Sequence, residues 1–580
     1  MKLYKFLISG VIGVMSLTSC NDWLYVNEDP NTPAQDAVSV TTLLPWVEFH
    51  LGYATGAQGY RSQFICNAFT STNRTNNEGC YAQWQPTTGI CTTPYQQFFV
   101  GCGPNIVDMY NKAVASGAWH YAAAAKLLKA YGFLMMADMY GEMPYFEANS
   151  ASTFPKYDTC ETIYTECLKE IDEAIENFGK TQALGQPALS EGDSWNGGDI
   201  NKWVKMAYLL KARTLNQLSK KSSYYKPDEI LQCLAKAQQS INDDTLIKHN
   251  DVKETSSDFI STDPMQTNFN WNQTYNGRRH MTMPTKWFVN ILTDFDGKGV
   301  EDPRADKILA WRQFSNNGAK EWRRGVGVDM QSDVRLPNGL ANFISRENGG
   351  WLASDKTRKG DSIYVGIYAG SMGVYGTANC MYRPVDGWYP SSGNVYVRPD
   401  SYYLWATYSE ACFIKAEVLF RQGNKGEAFE AYKAGIKANI DELNVMLSSL
   451  WQGGDYATCP SFGPMAQDKI DAFLNSAIGT AADITMEKIM TQKFIAMLYS
   501  VVNWNDMRRH DYKDYMGWEM PKEYYSNANA LKAIPEGKQW RRVKQCSHEI
   551  NYNSTQLGAI QPHFNDDDIW SYPIWWDIAE

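Results

Sequence analysis

Ser409-Glu-Ala-Cys-Phe-Ile-Lys-Ala-Glu-Val-Leu-Phe-Arg-Gln-Gly423, continued by Asn424-Lys-Gly-Glu427-Ala-Phe-Glu-Ala-Tyr-Lys-Ala-Gly-Ile-Lys-Ala-Asn-Ile-Asp441, decides the fold. A helix ends at Gly423, Asn424 supplies the turn, and a second helix resumes at Glu427. Ala416, Ala428 and Gly435 are small where two helices must approach closely, and Leu419 and Tyr432 fill the space between them. The stretch therefore reads as a tight antiparallel helix pair.

Working outward, the same pattern recurs. Residues 122–140 are followed by 159–178, where Ile163, Cys167, Leu168, Ile171, Ala174, Ile175 and Phe178 fall three or four apart and make one apolar face. Residues 200–218, with Trp203, Ala207 and Leu210, precede 227–241, with Leu231, Leu234, Ala235 and Gln238; Pro227 and Asp228 suit a helix start. A further helix over 484–501 runs on into Trp504, Met507, Arg508 and Arg509. The offsets in the 409–441 pair fit one tetratricopeptide-like unit of about 34 residues. Pairs separated by such long irregular stretches cannot stack as a free solenoid. The expected fold is mostly α: a tetratricopeptide-like helix-pair scaffold over about 105–245 and 400–510, decorated by a large, irregular, loop-rich insertion over about 250–400. In that insertion the periodicity disappears and Gly, Asn, Ser, Trp and Tyr become frequent, as in ligand-binding loops laid on a rigid frame.

The first twenty residues read as an export leader: Lys2 and Lys5, an apolar run too short to span a bilayer, then Leu17-Thr-Ser-Cys20. Cleavage before Cys20 with lipidation of its thiol gives a signal peptide over 1–19 and a lipid-anchored single domain over 20–580. The formal net charge is -10, and no basic stripe interleaved with aromatics exists, so nucleic acid is not an expected partner. Of the twelve cysteines, eleven remain beyond Cys20, with no CxxC pair; Cys66, Cys80, Cys91 and Cys102 either pair among themselves or stay free and buried.

Catalytic constellations are not found. His50, His120, His249, His280, His510, His548 and His563 are scattered, without an HExxH, and neither GxSxG nor a phosphate-binding loop occurs. Asp294-Phe-Asp296-Gly297-Lys-Gly299 with Glu301 and Asp302 superficially resembles a calcium loop, but its ligand spacing is compressed. It reads instead as a turn before Asp302-Pro303-Arg304, whose acid and guanidinium hold each other. The expectation is a binding protein, not an enzyme, with no cofactor and no metal.

Aromatic content is the outlier: 20 Trp, 35 Tyr and 23 Phe, too many for every ring to be core. Tyr81 and Trp84 lie in a Gln- and Asn-rich loop, where rings beside amides can stack on a pyranose and bond its hydroxyls. Trp271 with Tyr275, then Trp311, Trp322 and Trp388 with Tyr389, are the candidates in the insertion, and at least two of the set are expected to face one shallow groove. Arg278-Arg279 and Arg323-Arg324 could select an acidic glycan or a peptide carboxylate, or simply be solvated. Trp203, Trp287 and Trp504 fall in helical patterns and are assigned to packing.

These residues resemble the SusD/RagB-like nutrient-binding lipoproteins of Bacteroidetes. The carriers are Cys20 through Asn31, ending in Asp-Pro-Asn; Lys129-Ala-Tyr131 through Met139-Tyr-Gly-Glu-Met-Pro-Tyr145, then Pro155-Lys-Tyr-Asp158; Asp302-Pro-Arg304; Glu410 through Gly423; Trp504-Asn-Asp-Met-Arg-Arg509; and Trp570-Ser-Tyr-Pro-Ile574. Trp575 and Trp576 replace the family's usual polar stretch. The resemblance implies a cell-surface lipoprotein of the outer membrane that captures an oligomeric nutrient and caps a SusC-like TonB-dependent transporter as its lid. In this family the ligand is an oligosaccharide or an oligopeptide. A secreted hydrolase on a repeat scaffold is the competitor from another class.

Overall fold

The computed structural model of the chain describes residues 38–71, 77–248, 282–316, 319–324, 327–331, 391–392, 395–397, 401–449, 458–521 and 533–580. Helix α1 (Val40–Ile65) is followed by strand β1 (Phe69–Ser71) and by α2 (Asn77–Ala82), α3 (Gly89–Gln96) and α4 (Gly103–Ser116). Two antiparallel pairs come next, α5 (Trp119–Tyr140) with α6 (Cys160–Phe178), and α7 (Ile200–Gln217) with α8 (Pro227–Leu234). Strand β2 (Thr245–Lys248) leads into the insertion, whose described parts are β3 (Thr282–Pro284), α9 (Lys286–Thr293), α10 (Ala305–Ile308), β4 (Trp311–Asn316), β5 (Ala319–Arg324) and β6 (Ser391–Ser392). Strand β7 (Tyr402–Ala406) leads out to α11 (Tyr408–Arg421) and α12 (Lys425–Ser449). The chain closes with α13 (Gln467–Ser476), α14 (Met486–Ala496), α15 (Val502–Arg509), α16 (Ser547–Tyr552) and α17 (Ser554–Ile560).

Helix starts are written locally. Thr159, Asp199, Thr285, Thr407 and Thr485 each accept from a backbone N–H of the first turn they precede, satisfying donors that a helix leaves free. In the α11–α12 pair the turn is built as the sequence predicts: Gly423 has φ 81°, and the Asn424 side chain accepts from Glu427 N at 3.3 Å. A Cβ on Gly435 would lie 3.0 Å from the Phe413 ring, so the small residue is what lets the two helices meet. Ala416, Ala428 and Tyr432 are wholly buried between them.

Three boundaries differ from the sequence reading. Helix α8 stops at Leu234, seven residues early, because the Gln239 amide donates to the Leu234 and Ala237 carbonyls at 2.9 and 3.0 Å. Helix α12 runs on to Ser449. The 484–501 helix is broken: α14 ends at Ala496, and Tyr499 turns left-handed, φ 68°, before α15. That turn presses the Tyr499 carbonyl against α1, where a Cβ on Gly59 would lie 1.8 Å from its oxygen. Gly59→Ala is therefore expected to force two backbones apart at a cost of about 1–3 kcal/mol. Gly426→Ala, where a Cβ would meet nothing within 4 Å, is the control and should not lower stability. Equal thermal midpoints for the two variants would refute the close approach.

The sheets are small and antiparallel. β1 pairs with β3 (Phe69↔Pro284 to Ser71↔Thr282), and β2 pairs with β7 (Thr245↔Ala406 to Lys248↔Tyr402), which clamps the two ends of the insertion together at the start of α11. β4 is the centre of a third sheet, order β5-β4-β6. All ten described cysteines are buried, and Cys66, Cys80, Cys91 and Cys102 form no disulfide with one another, which decides between the two readings of the cluster. Cys20 lies outside the described residues.

Candidate functional site

The first two rings named from the sequence are not surface rings. Tyr81, on α2, is 1% exposed; its hydroxyl lies 3.2 Å from Thr87 Oγ1, and its ring meets Trp540 edge-on at 6.0 Å. Trp84, φ 54°, is 7% exposed, donates its indole N–H to the Ile65 carbonyl at 2.8 Å, and packs on Tyr512 and Trp518. The Gln- and Asn-rich loop is folded inward because the end of α1 and the C-terminal segment surround it with rings. Trp504, Trp540, Trp570 and Trp576 complete that interior, with the Arg508 guanidinium 4.0 Å from the Trp504 ring and 4.8 Å from the Trp576 ring. Tyr81 and Trp84 are thus corrected from ligand platforms to core. Trp203 and Trp504 are buried as expected, and Trp287 donates to the Met516 carbonyl at 2.9 Å.

Trp271, Tyr275, Trp388 and Tyr389 lie outside the described residues, as do Arg278, Arg279 and the Arg323 side chain. Trp311 and Trp322 are the remaining pair, and the β4–β5 hairpin brings them together. Its register sets Trp311 opposite Arg324 and Gln313 opposite Trp322. Since side chains alternate along a strand, Trp311, Trp322 and Arg324 share one face, the two tryptophans on a diagonal within reach of long side chains. Both are half-buried. The Trp311 indole N–H goes to the Asp306 carbonyl at 3.0 Å, and that of Trp322 to Thr458 Oγ1 at 3.1 Å. With both N–H groups held by the protein, the two indoles are fixed in orientation.

Arg324 completes the face. Its Cζ sits 5.4 Å from the Trp311 ring centre, and its guanidinium donates to both Glu301 oxygens, at 2.9 and 2.5 Å, and to Asp306 at 3.0 Å. Lys469, from α13, donates to the other Asp306 oxygen at 2.7 Å. Burial works against the Arg324 charge, but the Glu301 and Asp306 carboxylates outweigh it and raise the guanidinium above its ordinary value. Glu301 and Asp306 were not singled out as partners of the arginine pair. The nearest signal in the sequence is the acid-rich turn around Asp302-Pro303-Arg304 that delivers them.

That turn is not built for a cation. Asp294 accepts from Gly299 N at 2.7 Å, Asp296 pairs with Lys488 at 3.0 Å and Lys298 at 3.3 Å, and Asp302 is bound by Arg304. Among the described residues no group of three or more His, Cys, Asp or Glu side chains is placed to hold a metal ion. A second set of exposed rings, unnoticed in the sequence, stands elsewhere: Phe146 and Phe154, on a loop bridged at its base by Met143 and Asp158, and Tyr552 on α16, are 61%, 60% and 74% exposed. Asn553 ties the two elements by donating to the Pro155 carbonyl at 2.9 Å.

Residues 33–343 match the family model described as starch-binding, associating with outer membrane, and residues 366–577 match that of the SusD and RagB outer-membrane lipoproteins. No curated protein matches the chain. Among solved structures, a SusD/RagB family protein from Bacteroides thetaiotaomicron is similar with TM-score 0.63 at 17% identity, covering 94% of this chain and 100% of its own. A Bacteroidetes SusD-like protein gives TM-score 0.64 at 19% identity, covering 93% and 100%. A chitin-binding protein gives TM-score 0.61 at 20% identity, again covering 93% and 100%. At these identities the likeness carries the fold, while the family models, which between them span most of the chain, carry membership. The chain belongs to the SusD/RagB family of outer-membrane lipoproteins, a family of surface nutrient-binding proteins.

Proposed function

We propose that the protein binds an oligosaccharide on the Trp311–Trp322 face and presents it, as a lipid-anchored lid on the cell surface, to a SusC-like TonB-dependent transporter. The observation that carries the reading is the pair of half-buried indoles on one hairpin face with both N–H groups tied to protein acceptors. Such rings suit the apolar faces of pyranoses. The description of the first family model as starch-binding, and a structural relative described as chitin-binding, favour a glycan over a peptide. The anchor would be Cys20, and the insertion of the single 20–580 domain would supply the remaining contacts, including those from Trp271, Tyr275 and Trp388. Among the described residues no helix is long and apolar enough to cross a membrane, in keeping with attachment by acyl chains.

The test is binding of residues 21–580 to a panel of plant, host and microbial glycans beside a peptide library. Trp322→Ala and Trp311→Ala are each expected to weaken the glycan hit by about tenfold or more, as truncation of a ring at the centre of a contact does. Tyr81→Phe, which keeps the buried ring, should leave affinity alone. Undiminished binding by both tryptophan variants, with native folding, would move the site off the hairpin; peptide hits alone would move the ligand class.

A further inference from the structure

Glycans differ most sharply in charge, from neutral polymers to uronates and sulfated chains, and the hairpin face carries the group that decides between them. An arginine stacked beside tryptophans would ordinarily attract carboxylate or sulfate, because its planar fork bonds two oxygens at once. Here three of its five N–H donors already go to carboxylates. Glu301 takes Arg324 through two bonds, at 2.9 and 2.5 Å, and Asp306 takes a third, at 3.0 Å. Lys469 bonds the other Asp306 oxygen at 2.7 Å. Two cations face two carboxylates, and the set is neutral. The side chains of Arg324 and Asp306 are 19% and 11% exposed, so an incoming anion meets a guanidinium whose charge is already matched within a part-buried ion pair. The formal net charge of the whole chain, -10, repels a polyanion at longer range.

We infer that Glu301 and Asp306, by occupying Arg324, make the hairpin face selective for uncharged oligosaccharides against uronate-bearing or sulfated ones. The inference rests on the glycan reading of that face and names its substrate class. Glu301 and Asp306 are positioning residues that act through the arginine. They also hold the Arg324 guanidinium over the Trp311 ring, 5.4 Å from its centre.

The experiment compares neutral and acidic oligosaccharides of matched length, a cellulose or xylan oligomer against oligogalacturonate and a sulfated galactan oligomer, with wild-type protein, E301Q, the double variant E301Q/D306N, and R324Q. Wild type should bind a neutral oligomer and show at least about tenfold weaker binding to the acidic ones. E301Q/D306N, which frees the guanidinium, should gain acidic-oligomer binding by about tenfold or more, and this gain should fade at high salt. Merely structural damage would lower all affinities and create none. E301Q alone, at a side chain 35% exposed, guards against misfolding of the double variant and should move in the same direction. R324Q should gain no affinity for acids. Wild-type preference for uronate or sulfate, or equal binding of both classes, would overturn the inference while leaving glycan capture standing. Binding of peptides with no glycan of either class would remove the glycan reading and the inference together.

Discussion

Arg304→Met is expected to lower the stability of the folded protein by about 3–5 kcal/mol, because it strands a carboxylate in a fully buried site. Arg304 and Asp302 are both 0% exposed. The guanidinium donates to Asp302 through Nε at 2.9 Å and Nη2 at 2.6 Å, to Asn439 Oδ1 at 2.9 Å, and to Gln492 Oε1. One side chain thereby joins the start of α10 in the insertion to α12 and α14 of the scaffold. Removing it leaves the Asp302 carboxylate held by the backbone N–H of residue 304 and deprives two buried amides of a donor. Denaturant unfolding measures the loss, and Asp302→Asn in the same chain should recover a large part of it. A single-variant loss within about 0.5 kcal/mol, the range of ordinary surface substitutions, would mean that the pair is not holding the two parts together.

The second expectation concerns pH. Burial drives the Glu442 carboxyl up to about 7 from its ordinary 4.5, against hydrogen bonds from Ser409 N at 3.1 Å, Ser409 Oγ at 2.8 Å and Asn439 Nδ2 at 3.1 Å. Asp244, which accepts from Tyr408 N at 2.7 Å, is likewise raised, first by burial and then by the Glu442 charge. Between about pH 4.5 and 7 the folded chain holds a proton on Glu442 that the unfolded chain has released, so folding is favoured by acid across that window. The contribution is complete below the unfolded value and is lost as pH rises through the folded one, by about 3 kcal/mol at most. Glu442→Gln mimics the protonated form. Its stability relative to wild type should climb as pH goes from 5 to 8, with the two curves meeting on the acid side. Parallel curves over that range would refute it. Because these acids sit at the start of α11, beside the β2–β7 pair that closes the insertion, hydrogen exchange in β2 and β7 should follow the same pH course.

Among the described residues the aromatic rings go mostly into packing. Trp203, Trp504, Trp540, Trp570 and Trp576 are all fully buried, and the two rings chosen first from the sequence, Tyr81 and Trp84, join them. Their neighbours along the chain are polar, which is why they read as a surface loop. The rings that enclose them, Tyr512, Trp518 and Trp540, come from more than four hundred residues away.

What the sequence determined by itself is local. The α5–α6 and α11–α12 pairs, their Thr caps and the Gly423–Asn424 turn were legible because a helix with one face in solvent stamps its period on the chain, and a cap needs only residues three apart. Helix α1 left no such stamp: it is packed on nearly all sides, carries Pro45, and has buried Gly52, Gly56 and Gly59, the last against the Tyr499 carbonyl. The break in the 484–501 helix was equally hidden, since the contact it makes with α1 joins residues far apart in the chain. In the candidate site, the sequence supplied Trp311, Trp322 and Arg324 as residue types, and the hairpin register put them on one face. That Arg324 is neutralised rather than free was decided by tertiary structure alone, because charge compensation depends on distance in space: Glu301 reaches it from the turn and Asp306 from α10, while Lys469 of α13 holds the other Asp306 oxygen.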